Sequence, residues 1–218
     1  MRCAVIIFPG SGTEIFAVRD LLDCGMVNVW HNETSLSGYD VIFLPGGSSY
    51  GDYLRCGALA AHSAIIPAVK KAADEGKLIL GVGNGFQVLT EIGLLPGGFL
   101  RNRSIKFSCR YTNLIVEDNN TPFTNLFEIG ESIKIPVAHT EGNYHFEETD
   151  KSRIIFSYES DGGIAGIINE NGNVLGMMPY PERAVDKILG STDGLRLFES
   201  ILKNHQSKNC SARQGAAN

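Results

Sequence analysis

Residues Leu78-Ile79-Leu80-Gly81-Val82 form an unbroken apolar run, followed at once by Gly83-Asn84-Gly85 and then by Phe86-Gln87-Val88-Leu89-Thr90. An apolar run of this length fits a strand buried on both faces, and the segment after the glycines reads as the start of a helix. A strand covered on both sides needs helices on both faces of its sheet, so this segment commits the chain to an α/β architecture. Gly81, Gly83 and Gly85 also match Gly-x-Nuc-x-Gly, the nucleophile elbow. There a sharp strand-to-helix turn presents one strained residue at the sheet's carboxyl edge, beside helix-start N–H groups that stabilise an oxyanion. The nucleophile position is Gly83, which has no side chain with which to attack. Spacing alone fits a close-packed turn without chemistry equally well.

Around this segment strand and helix alternate. Cys3 to Phe8 reads as a first buried strand, and Thr13 is the expected N-cap of a helix carrying Ile15, Val18, Leu21 and Leu22. Val27 to Trp30 and Val41 to Leu44 are two more short strands, and a helix from Ile65 to Glu75 ends at Gly76. After Pro96-Gly97-Gly98 the texture becomes β-rich: Ile105 to Tyr111, Leu114 to Glu117, Ile133 to Ala138 and Ile154 to Tyr158. Asn169-Glu170-Asn171-Gly172 predicts a hairpin turn between Ile164 to Ile168 and Val174 to Met178. Asp193 is the expected cap of a last amphipathic helix facing the core through Leu195, Leu197, Phe198, Ile201 and Leu202. The expected fold is therefore α/β, a mainly parallel central sheet flanked by helices, with antiparallel strands added in the second half. Residues 1–204 are expected to form a single domain, and 205–218 a disordered tail.

With 218 residues, 43% of them hydrophobic, the chain can bury one substantial core. A net charge of −5 with no basic stripe argues against nucleic acid or an anionic membrane as the main partner. The five cysteines lack C-x-x-C or His/Cys ligand spacing, so no metal site or disulfide framework is expected. The N-terminal apolar segment is too short for a signal sequence or a membrane span, and a cytoplasmic setting is expected.

Four segments carry a resemblance: Gly81 to Gln87, Leu44 to Gly57, Pro136 to Asn143, and Gly176 to Arg183. In order and spacing, from about Cys3 to Asn204, the chain resembles the glutaminase subunit of phosphoribosylformylglycinamidine synthase, the class I glutamine amidotransferase of purine biosynthesis. The resemblance implies a flavodoxin-like amidotransferase fold. It also implies a chemistry in which a thiolate attacks the glutamine amide, a histidine shuttles the proton and a carboxylate orients that histidine. Family members have cysteine where this chain has Gly83 and histidine where it has Tyr180; of the triad only the acid, Glu182, is kept. They also usually have Ser-Asn-Cys where this chain has Ser11-Gly12-Thr13. The resemblance assigns oxyanion N–H donors to Gly46, Gly47 and Asn84, and substrate contacts to Gln87, His139, Thr140 and Glu141. Cys56 is expected to pack rather than react, and Tyr180, a phenol with an ordinary pKa near 10, is a poor proton shuttle.

Three functions follow as expectations. The first is a catalytically degenerate subunit that docks on a large synthetase subunit, a third small subunit being a further candidate partner. ATP and Mg would then bind only to the synthetase, and this chain would hold no cofactor. The second is a metabolite-binding or regulatory module using a glutamine pocket enlarged by the loss of thiol and imidazole. The third is an inactivated variant of a genuine glutaminase subunit.

Overall fold

Among the described residues nine strands lie side by side in one mixed sheet. A computed structural model describes residues 1–146 and 153–215. Within them β1 (Arg2–Ile7), β2 (Gly25–Trp30), β3 (Val41–Leu44), β4 (Leu78–Val82) and β11 (Val174–Met177) pair in parallel. Beyond β11 every pairing is antiparallel, through β10 (Ile164–Ile168), β9 (Arg153–Tyr158), β6 (Ser108–Val116) and β7 (Ser132–His139). These pairings give β9 and β7 the same direction as the parallel strands, so seven of the nine present their carboxyl ends at one edge. A small ribbon of β5 (Gly98–Leu100) and β8 (Asn143–His145) lies beside the sheet.

The unbroken apolar run at β4 follows from burial on both faces. Leu78, Leu80 and Val82 pack with Cys3, Val5, Val41 and Phe43 on one side. Val18 of α1 (Phe16–Leu22) and Leu197, Phe198 and Ile201 of α4 (Leu195–Gly215) join that layer. Ile79, Ala4, Ile6, Ile42 and Leu44 face the other side. There α2 (Ile66–Asp74) and α3 (Asn84–Glu91) cover them with Val69, Ala72, Val88 and Leu89. Alternation within each strand thus feeds two separate cores.

Several local expectations are corrected. Thr13 is not a helix cap: α1 begins after Ile15 without a side-chain cap, and Thr13 accepts the Phe16 N–H through its own carbonyl, 3.1 Å. Asp193 does not cap α4, because its carboxylate accepts the Lys134 N–H of β7 at 2.7 Å. The segments Ile105 to Tyr111 and Leu114 to Glu117 are not two strands; one nine-residue strand, β6, spans the region and Ile105 lies in the preceding loop. α4 continues through 205–215, with no Gly or Pro to interrupt it before Gly215. Gly76 does end α2: its N–H bonds to Ala73 O and that of Lys77 to Ala72 O, the paired bonds of a Schellman motif.

Candidate functional site

The elbow forms where the sequence puts it. Gly83 has φ 52° and ψ −110°, a combination that strains any L side chain. Its N–H is held by Met177 O at 2.8 Å, and its carbonyl accepts the Gln87 N–H at 3.2 Å, opening α3. A Cβ at Gly85 would fall onto the carbonyl oxygen of Leu44, so only glycine lets α3 start this close to the end of β3.

Five segments meet at this edge of the sheet, each following a strand that points toward it. The Gly10 loop follows β1, Gly46-Gly47 follows β3, Gly83 follows β4, His139-Thr140-Glu141 ends β7, and Tyr180 follows β11. Backbone bonds tie them together: Ser48 N–H to Gly10 O at 2.9 Å, Gly12 N–H to Gly46 O at 2.7 Å, and Tyr180 N–H to Pro136 O at 2.8 Å. The last bond closes the curled antiparallel half of the sheet back onto the end of β11.

Tyr180 is 3% exposed, and its ring lies between Gly46 and Gly83. A Cβ at Gly83 would stand 2.6 Å from the Tyr180 hydroxyl oxygen and 2.8 Å from Cζ, and a Cβ at Gly46 would overlap Cε1. The hydroxyl also receives a long hydrogen bond from the Gly47 N–H, 3.5 Å, so it faces one of the N–H groups assigned to the oxyanion. Burial, then the neighbouring Glu182, pushes the phenol up to about 12. The Arg183 guanidinium lies 4.0 Å from the ring centroid, and its Nη2 donates to Glu14 Oε1 at 2.6 Å. The expected enlargement of the glutamine pocket is therefore corrected. The phenol fills the space, and the remaining cleft measures about 40 Å³, far below the roughly 300 Å³ lower end for small-molecule sites.

Glu182 is 2% exposed, and its Oε2 has no hydrogen-bond partner. Burial raises its pKa to about 8, so the carboxyl is largely neutral at pH 7 and holds no imidazole in place.

The sequence profile of the CobB/CobQ-like glutamine amidotransferase domain matches residues 8–201. The chain belongs to that family. A chain in the structure of PurLQS from Thermotoga maritima is 45% identical, with a TM-score of 0.89 over 93% of this chain and 98% of that one. A putative GMP synthase subunit from Thermoplasma acidophilum is 16% identical, with a TM-score of 0.70 over 98% of both chains. A glutamine amidotransferase from Thermotoga maritima is 12% identical, with a TM-score of 0.64 over 98% of this chain and 85% of that one. These last two share the fold, a class I amidotransferase α/β sheet flanked by helices.

Around the filled cleft of this amidotransferase domain, the polar residues singled out from sequence come together and satisfy one another. Asn84 Oδ1 accepts the Ser49 N–H at 3.1 Å, and its Nδ2 donates to Gln87 Oε1 at 3.1 Å and Asp52 Oδ1 at 3.2 Å. Gln87 Nε2 donates to Glu141 O at 2.8 Å, so both ends of that amide are engaged within the protein. Thr140 lines the cleft and its carbonyl accepts the Asn102 N–H at 2.8 Å. His139 Nδ1 bonds to Asn102 Oδ1 at 2.9 Å, an oxygen that also accepts the Gly142 N–H. Burial, aided by nearby Arg110, drives His139 down to about 4 and keeps it neutral. Cys56 also lines the cleft, but burial and the carboxylates of Asp52 and Glu141 push its thiol well above the ordinary range, leaving it unreactive. Sequence reasoning missed Asn102, which buckles His139 to the loop after β5, and Glu14, which pairs with Arg183 behind Tyr180. No spacing in the chain marks either of them.

Proposed function

We propose that this amidotransferase domain is the glutaminase-like subunit of a phosphoribosylformylglycinamidine-synthase-type assembly, and that it docks on a large synthetase subunit while hydrolysing no glutamine itself. The observation that carries this reading is the Tyr180 ring, which occupies the space a nucleophilic side chain at position 83 would need. Glutaminase chemistry requires a nucleophile, a base able to take its proton near neutral pH, and a cavity for the amide. Here the first is glycine, the phenol at the second position has its pKa pushed up to about 12, and the third is about 40 Å³. The acid of the triad, Glu182, is orphaned at Oε2.

Docking is supported by the likeness to PurLQS over nearly the whole chain. It is also supported by exposed apolar side chains: Phe107 lines the cleft, and Tyr53, Leu54 and Ile105 are exposed on the same loops as the cleft-lining Asp52, Cys56 and Phe107. A cluster of this kind marks an interaction surface. In such an assembly ATP and Mg belong to the synthetase, which would take nitrogen from free ammonia or another amine.

The filled cleft favours this reading over a metabolite sensor using the glutamine pocket, which would need room for its ligand. The mutual fit of Gly83 and Tyr180 favours it over single-site inactivation of an ordinary glutaminase.

The test is glutamate release from glutamine by the purified chain, with and without its large subunit, for the native sequence and for the Gly83→Cys/Tyr180→His variant. The native chain is expected to be silent and the double variant active only with the partner present. Glutamine turnover by the native chain would overturn the proposal.

A further inference from the structure

On the far side of His139 from the elbow lies a second, larger cavity of about 290 Å³. It opens at the same edge of the sheet, where β7 and β9 end and where β6 and β10 begin. Val137, Tyr144 and Ile164 give it an apolar floor, and Arg103 and Arg110 stand exposed on its rim. Neither guanidinium has an ion-pair or hydrogen-bond partner among the described residues. Two unpaired arginines beside one cavity are notable in a chain with a net charge of −5.

The hydroxyl of Tyr158, at the end of β9, is buried against this cavity without a hydrogen-bond partner. Burial, then the nearby Asp161 carboxylate, raises its pKa, so its proton stays on the oxygen. Arg110 is near enough to act electrostatically on both Tyr158 and His139, which line the same cavity. Asp161 is the one carboxylate of the lining, and its Oδ1 is engaged by the Gly163 N–H at 3.1 Å. Two guanidinium forks on the rim and the phenolic O–H of the wall thus stand against a single carboxylate, above apolar surface.

We infer that this cavity is a binding site for the oxyanion group of a small organic anion, a phosphate ester or a carboxylate. Tyr158 and Arg110 would hold the charged group and the apolar floor would take the body of the molecule. Guanidinium forks match both headgroups. The volume lies near the roughly 300 Å³ lower end for small-molecule sites, so a compact metabolite fits and a polymer does not. This inference does not depend on whether the elbow cleft is silent.

The experiment is calorimetric and thermal-shift titration of the full chain with glycerol 1-phosphate, inorganic phosphate and succinate, at constant ionic strength with chloride as control. Saturable binding of at least one oxyanion is expected. It should weaken about tenfold or more in Arg110→Gln and several-fold in Tyr158→Phe. Tyr158→Phe removes only an unpartnered hydroxyl, so its unfolding midpoint without ligand should be no lower than native and will show that the variant folds. Binding by the phosphates alone assigns a phosphate ester, and binding by succinate alone assigns a carboxylate. The inference is overturned if no anion saturates, if chloride acts equally, or if both variants bind as the native chain does.

Discussion

The two cavities at the carboxyl edge share His139 as a wall and differ in almost everything else. The elbow cleft belongs mainly to the parallel half of the sheet, and its polar groups are bonded to one another while its centre is filled by a tyrosine ring. The second cavity belongs to the antiparallel half, is about 290 Å³ against about 40 Å³, and leaves the Tyr158 hydroxyl and the Arg103 and Arg110 guanidinium groups without partners among the described residues. A site is therefore not identified by the presence of its framework. The elbow has the framework in full and no room, whereas the neighbouring cavity has room and unmet hydrogen-bonding capacity with no motif to announce it.

The comparison can be broken most forcefully at Gly83. Gly83→Cys alone should destabilise the chain by about 2–4 kcal/mol, combining backbone strain with overpacking against Tyr180. Adding Tyr180→His should recover about 1–3 kcal/mol of that, a coupling that urea denaturation of the two single variants and the double variant will measure. Strictly additive effects would show that the two residues are not a matched pair.

A smaller effect is expected at Glu182. Its folded pKa, raised to about 8, exceeds the unfolded value of 4.5. The native state then binds more protons than the unfolded chain between these values. Stability linked to this group is fully present below about pH 4.5 and is lost as pH rises through 8. Glu182→Gln should therefore stabilise the chain at pH 8 by on the order of 2 kcal/mol, with the gain vanishing near pH 4.5. Melting temperatures that differ by the same amount at both pH values would mean that the carboxyl is ionised in the folded protein.

The smallest effect concerns what holds the ring in place. Arg183→Ala removes the stacked cation and its pairing with Glu14, for about 0.5–1 kcal/mol, because the pair is only partly buried and screened by solvent. A loss larger than that of Gly83→Cys in the same denaturation series would make Arg183, rather than the glycine pair, the determinant of the filled cleft.

The parallel half of the sheet was legible because burial on both faces leaves continuous apolar runs; β3 and β4 fall on the residues read as strands. The antiparallel half was less so. β6 carries Tyr111-Thr112-Asn113 on a partly solvated stretch, and the interrupted apolar pattern reads as two strands instead of one. Capping expectations failed where a capping side chain was taken by another element, as Asp193 is by Lys134. At the site, the elbow could be read because its chemistry is local in sequence. The fate of the emptied pocket could not, since Tyr180 reaches Gly83 only through the pairing of β4 with β11. The orphaned hydroxyl of Tyr158 is likewise invisible without the fold.

The contact between Tyr180 and Gly83 also governs which sequences can be reached from this one. A cysteine arriving at 83 meets the ring, and a histidine arriving at 180 finds no thiol to serve, so neither single change restores a working pair. The phenol therefore acts as a barrier: any path to an elbow with a nucleophile passes through a less stable or chemically useless intermediate.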